Sequence, residues 1–263
     1  AQDGLYTVVS RGDDGDEARV VGIMTRYLFA PEEEKAVVSA LADEATRLVT
    51  LTITADRYRV DPPDIVGASQ VNEVLEPKTL GLLVEALQRR RRCGIAPFTV
   101  LSCDNIPGNG IIARSAVLSL AARSDPGLAS WIARHAAFPS SVVDRITPTS
   151  TDEHRRVVEA RFAVRDLQPV ITEPFSQWIV EDTFCNGRPP LDQVGAQFVS
   201  DVRPYALIKT RLLNAAHCAL GYLGSLAGHE RTDQAIGDPV IGAYIERLMT
   251  DEIAPLLPAV DVD

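Results

Sequence analysis

Paired cysteines, a basic surface and long apolar runs are what this sequence lacks. Its four cysteines, Cys93, Cys103, Cys185 and Cys218, are scattered without Cys-x-x-Cys or Cys/His zinc spacing. That pattern offers no metal site and makes free thiols in a reducing cytoplasm the expected state. Lysine and arginine number 26 against 36 aspartates and glutamates, for a formal net charge of −10. Phosphate backbones call for the opposite sign, so nucleic acid is excluded as a partner. The one basic block, Arg89-Arg90-Arg91-Arg92, closes a helical stretch just before Gly94 and reads as a solvated face that complements the helix dipole. No apolar run spans a bilayer without polar interruption and no signal peptide is present, so a cytoplasmic protein without a membrane partner is expected. A Gly-x-Ser-x-Gly elbow is missing too, which weighs against a hydrolase. There is no internal repeat and no low-complexity tract, and nothing in the chain specifies an oligomeric state.

What remains is a globular chain. With 263 residues, 46 % hydrophobic and 24 % charged, it can bury one large core or two ordinary ones. Leu5–Val9 and Arg19–Ile23 read as strands joined by the turn chemistry of Gly12-Asp-Asp-Gly15. Pro31-Glu-Glu-Glu34 opens a helix running to about Ala45. Leu48–Ile53 and Phe98–Cys103 are short β-branched or apolar runs of the kind buried in parallel sheets. Helices are expected over Pro77–Arg92, Gly110–Arg123 and Leu128–Ala136, with a loop over 59–76. Further strands are expected at Ser141–Ile146, around Val170–Thr172 and at Gln177–Val180, with a turn at Asn186–Pro190. Strands alternating with helices argue for an α/β layer with a mainly parallel sheet. From about Asp201 the pattern turns helical, with Tyr205–Ala227 as one helix capped by Gly228 and another over Pro239–Thr250. The expected division is 1–200 and 201–263.

Three stretches could carry chemistry. In Lys209-Thr-Arg-Leu-Leu-Asn214-Ala-Ala-His217, an α-helix places the amine, the amide and the imidazole within an arc of about 140°. A desolvated lysine can take the hydroxyl proton of an alcohol while a hydride leaves, and an asparagine N–H can hold the oxygen as its charge changes. A surface lysine with a solvated asparagine is the competing reading. In Asp104-Asn105-Ile-Pro-Gly-Asn109-Gly110, a loop follows a buried strand at the edge where open α/β sheets bind ligands. The alternative is a tight turn with Asn109 as N-cap. It is no triphosphate loop, since no Gly-Lys-Ser/Thr follows. Asp144 interrupts the strand Val142-Val143-Asp144-Arg145-Ile146, and a half-buried carboxylate needs a partner or a ligand. The remaining histidines, His135, His154 and His229, suggest no role.

Together Leu51–Thr54, Leu101–Gly110, Phe138–Pro148 and Lys209-x4-Asn214-x2-His217 resemble the polyol-specific long-chain dehydrogenase/reductase family, over nearly the whole chain. The resemblance implies a Rossmann-like domain, lacking its first βαβ unit here, followed by a mostly α-helical domain that carries substrate and catalytic groups. It implies metal-independent interconversion of a polyol and a ketose, of mannitol/fructose type, with NAD as cofactor and NADP possible. Reduction of a sugar acid, fructuronate or tagaturonate, is the competing activity within the family, and a truncated, non-catalytic binding protein is the competing class. By the same resemblance Lys209 is the general base, Asn214 and Asn105 stabilise the alkoxide, His217 and Asp144 bind substrate, and Val143 and Asp104 lie beside the cofactor. Two departures stand out: the family's Gly-x-Gly-x-x-Arg-type loop is not found, and the family continues beyond Val262. The chain therefore reads as a central fragment that would bind NADH weakly and tend to associate. Ala206 stands where family members tend to place an acid one turn before the lysine, which puts an acid-gated proton path in doubt.

Overall fold

A computed structural model describes residues 2–12, 14–54, 58 and 78–260. Contacts divide the chain into two compact units, 1–198 and 199–263. In the first unit, strand β1 (Tyr6–Gly12) forms a hairpin with β2 (Gly15–Val21), in register from Tyr6–Val21 to Gly12–Gly15, and pairs in parallel with β6 (Val170–Thr172). Strand β3 (Leu48–Leu51) runs parallel to β4 (Thr99–Ser102). Strand β5 (Ser141–Asp144) pairs antiparallel with β7 (Gln177–Glu181), whose other neighbour is β8 (Ala196–Val199). Every residue of β4 is buried, as its unbroken apolar and β-branched run requires.

Helices α1 (Ala30–Ala42), α2 (Lys78–Arg92), α3 (Asn109–Ser124) and α4 (Pro126–His135) supply the core around β3 and β4, with Leu80, Leu83, Leu87, Phe98, Val117, Leu128 and Ile132 at its centre. Pro31 and two glutamates sit in the first turn of α1, where a missing N–H and negative charge cost nothing. The expected loop over 59–76 and the start of the second helix at Pro77 lie outside the described residues. Helix α5 (Asp152–Phe162) is absent from the sequence reading. Only Val158 of it is buried, so it shows almost no apolar stripe, and its start is a capping box in which Thr151 pairs with His154 rather than with a glutamate.

The basic block corrects the expectation of a solvated face. Arg90 is fully buried. Its guanidinium donates to the carbonyls of Ala96, Leu41, Asp43 and Thr46 and lies 5.3 Å from the Phe98 ring centroid. It ties the end of α1 and the turn after it to the end of α2. Desolvation pulls its pKa down, and the four carbonyls hold the charge in place. Arg91 behaves as expected, pairing with Asp125 at 3.2 Å on the surface.

The second unit is helical. Helix α6 (Arg203–Ile208), a π-helical turn (Lys209–Asn214) and α7 (Ala215–Leu226) form one unbroken rod, since the junction residues Ile208, Lys209, Asn214 and Ala215 all keep right-handed helical dihedrals. A Schellman motif ends it: Gly228 at φ +86° donates to Ser225 O while His229 N–H reaches Gly224 O. Helices α8 (Thr232–Gly237) and α9 (Pro239–Arg247) follow, and a second π turn over Leu248–Ile253 continues α9. Ala216, Leu220, Ala235, Ile241 and Ile245 form the unit's core. Gly224 packs so closely on Ala235 that a Cβ would stand 2.6 Å from the alanine methyl.

Candidate active site

Parallel strands deliver their carboxyl ends to one edge of a sheet, and ligands of open α/β folds bind outside that edge. At this edge β3 runs into Thr54 and β4 into Asp104. Asp104 is 8 % exposed, and its carboxylate is committed to protein donors. Oδ1 accepts from the Thr54 N–H at 2.7 Å; Oδ2 accepts from the Tyr58 hydroxyl at 2.6 Å and the Ser102 hydroxyl at 3.2 Å. Thr54 has φ +67°, a left-handed conformation that a β-branched residue adopts only when its surroundings impose it. Burial, and then the hydrogen bond to Asp104, raise the Tyr58 pKa, so the phenol stays a neutral donor. Burial likewise pushes the Cys103 thiol up to about 11, which keeps it protonated and unreactive at neutral pH. Asp104, expected beside the cofactor, latches Thr54 and Tyr58 to the end of β4. Asn105, the next residue, is exposed.

Asn109 corrects a second expectation. The helix N-cap is Gly108, at φ +66°. Asn109 is fully buried one position inside, where its amide donates to the carbonyls of Asp104 and Ser141 and its oxygen accepts from the Ser141 and Gly110 N–H groups. The Ser141 hydroxyl donates to Ser102 O at 2.6 Å. This clamp joins the end of β4 to the start of β5. Asn105 lies three residues past Ser102 and Asp144 three past Ser141, so both are carried from a common fixed point.

On β5, Val143 and Asp144 are half-buried. Val143 faces Trp178 across the ladder and Asp144 faces Gln177. Arg145 turns away, its guanidinium donating to Glu173 O at 3.0 Å, which agrees with the alternation of side chains along a strand.

In the second unit Lys209, Asn214 and His217 share the rod, but not with the geometry of a plain α-helix. Ala215 N–H reaches back to Thr210 O, the i→i−5 bond of a π turn. Residues five apart, such as Lys209 and Asn214, then come round to the same side of the rod, closer in angle than the about 140° an α-helix would set between them. His217, three residues on in regular α-helix, is rotated by about 60° from Asn214. Lys209 is half-buried, and Asn214 and His217 are exposed. The candidate residues therefore fall into two groups, one in each unit. Asp104, Asn105, Val143 and Asp144 lie at the clamped strand ends, and Lys209, Asn214 and His217 lie on the rod.

Thr54, Tyr58, Ser102 and Gln177 complete the picture without having been picked out from the sequence. Only Tyr58, an aromatic ring in a charged stretch, carried a usable signal. Elsewhere His154 caps α5, His135 lies against Trp131 with the rings tilted by 41° and centroids 5.7 Å apart, and His229 lies 3.5 Å from Asp238. All four cysteines are free. Among the described residues no group of three His, Cys, Asp or Glu could hold a metal ion, and no helix is long and apolar enough to cross a membrane.

Comparison with known proteins matches residues 1–193 to the mannitol dehydrogenase Rossmann domain and residues 201–263 to the mannitol dehydrogenase C-terminal domain. The mannitol 2-dehydrogenase of Phaeosphaeria nodorum is 42 % identical over 99 % of this chain and 48 % of its own length. Mannitol dehydrogenase 2 of Saccharomyces cerevisiae is also 42 % identical, over 99 % of this chain and 54 % of the relative. Among solved structures, a substrate-free D-sorbitol dehydrogenase superposes with a TM-score of 0.92 at 38 % identity, covering 100 % of this chain and 56 % of the other. The Pseudomonas fluorescens mannitol 2-dehydrogenase, in a ternary complex with NAD and D-mannitol, gives 0.86 at 38 % identity over 100 % and 55 %. The chain spans about half the length of the relatives it matches.

Proposed function

The chain belongs to the mannitol dehydrogenase family, a Rossmann-like α/β domain followed by a helical one, and from that premise we propose that it serves NAD-dependent interconversion of a polyol and a ketose of the mannitol/fructose type. Residues 1–200 are the cofactor-binding part and 201–263 the start of the part that supplies catalytic groups. The observation that supports the reading is the π turn over Lys209–Asn214, whose i→i−5 bonding turns Lys209 and Asn214 towards one side of the rod.

The nicotinamide, when bound, takes the hydride. The chain's residues have to manage the proton and the oxygen. Lys209 Nζ, half-buried, is the general base that receives the hydroxyl proton, in place of a metal. The amides of Asn214 and Asn105 donate to the oxygen as it gains charge, the preorganised stabilisation that accounts for much of enzymatic rate enhancement. His217 and Asp144 bind substrate hydroxyls, and Val143 lines the cofactor side of β5. Asp104 lies beside the cofactor and holds the Asn105 loop at the carboxyl ends of β3 and β4, the edge where open α/β sheets bind dinucleotides. NADP is the alternative cofactor.

A panel assay tests the reading: the native protein with NADH or NADPH and with fructose, fructuronate and tagaturonate. NADH oxidation with fructose is expected to dominate. Preferential reduction of either sugar acid would move the activity to the sugar-acid reductases of the family, and no turnover with any of the three would leave a binding protein.

A further inference from the structure

We propose that Gln177 is a specificity residue for the polyol, its carboxamide working with the Asp144 carboxylate to hold two neighbouring hydroxyls; this rests on the reading that Asp144 binds substrate. The two residues are direct partners at the last step of the β5–β7 ladder. Directly opposed residues in an antiparallel pair project from the same face, with Cβ atoms about 4.5–5.5 Å apart. Behind them on that face the next pair is Val142 and Ile179, both buried. Beyond them the chain is exposed on both strands, at 145–149 and 174–176. A carboxylate and a carboxamide therefore sit side by side, half-buried, where a dry floor meets solvent.

Nearby polar groups are engaged with one another. Arg145 donates to Glu173 O, the Glu173 carboxylate accepts from Ile146 N–H at 2.6 Å, and Thr172 donates to Ile146 O at 2.9 Å. Among the described residues no side-chain hydrogen bond to Gln177 is formed. A half-buried amide without a side-chain partner in the protein is open to solvent or to a ligand.

The chemistry of the pair selects the ligand. An ionised carboxylate only accepts, whereas a carboxamide both donates and accepts. Adjacent hydroxyls match that pattern: one donates to Asp144, while its neighbour accepts from the Gln177 amide and donates to its oxygen. A substrate carboxylate would instead meet the Asp144 charge, so the pair favours a neutral polyol or ketose over a sugar acid.

The test is steady-state kinetics of the native protein with mannitol, sorbitol and arabinitol, comparing Gln177→Leu and Gln177→Glu with wild type. Both variants lose the donor, and the second keeps the polarity of the surface should the first fold poorly. A rise of about 10–100-fold in KM for the best polyol is expected, from the hydroxyl left unpaired. The preference among the three polyols should flatten, with kcat and the KM for NAD within about threefold. Unchanged polyol KM in both variants, with a wild type that oxidises polyols, overturns this inference alone. Equal losses for polyol and NAD make Gln177 merely structural, which also overturns it. A wild type that oxidises no polyol brings down the proposed function and this inference together.

Discussion

Replacing Asp104 by alanine probes the latch at the strand ends most sharply. The carboxylate accepts three hydrogen bonds, from Thr54 N–H, the Tyr58 hydroxyl and the Ser102 hydroxyl. Bonds to an ionised acceptor contribute about 1.5–3 kcal/mol each, and those sharing one acceptor do not add fully. Tyr58 is 5 % exposed and would keep only its 2.9 Å contact with Ser102. Against this loss stands the release of Thr54 from its left-handed conformation, about 1–2 kcal/mol. The net destabilisation is then about 2–4 kcal/mol, or a urea midpoint lowered by about 1–2 M. Asp104→Asn keeps an acceptor and a polar group in place and should cost about half as much. Thr54→Gly supplies the internal check. In the wild type it relieves strain and should be neutral or stabilising by up to about 1 kcal/mol, whereas with Asp104→Ala that gain should vanish. Urea unfolding of the four proteins, as a double-mutant cycle, reads all of this. An Asp104→Ala midpoint within error of wild type, or additive effects of the two changes, would refute the latch.

Two further outcomes follow from buried charge. Arg90→Met should destabilise by about 3–5 kcal/mol, because four buried carbonyls lose their donor, while Arg91→Met should cost under about 1 kcal/mol, as surface pairs do; chemical denaturation of both variants checks the contrast. Asp166 is pushed up by burial but held below the usual carboxylate range by the Gln168 N–H, the Gln2 amide and the Thr7 N–H. A carboxylate lowered on folding stabilises above its unfolded pKa, about 3.9, and that stability fades as pH falls through the folded value. Asp166→Asn should therefore flatten the acid limb of the stability–pH curve below about pH 4 and lower stability at pH 7, which thermal unfolding across that range would show.

Much of this was legible in the sequence because the signals were strong and local. The Gly12–Gly15 hairpin, Pro31 at a helix start, the continuous runs of β3 and β4, and Gly228 at a helix end each follow from one short-range rule. What escaped depends on tertiary contacts or on departures from regular geometry. Arg90 looks like its neighbours in a charged block, and only the carbonyls converging on it from α1 and from the loop before β4 make it a core residue. Helix α5 presents too little apolar surface for its period to show, and α8 is a six-residue helix. The extra residue in the π turn cannot be seen in a pattern read at 3.6 residues per turn, so the arc joining Lys209 and Asn214 came out too wide. Asp104 and Asn109 were noticed as chemistry-bearing types at the right strand end. The latch and the clamp that occupy them join loops far apart in the chain.

In the proposed reaction the Lys209 amine takes the substrate proton. Turnover of Lys209→Ala in the native protein, measured for mannitol oxidation from about pH 6 to 10, tests it directly. In that variant kcat is expected to fall by about 10²–10⁴-fold and the rise of rate with pH that reports the base to disappear, with the KM for NAD little changed. Turnover within about threefold of wild type, with the same pH profile, would remove the lysine from the reaction.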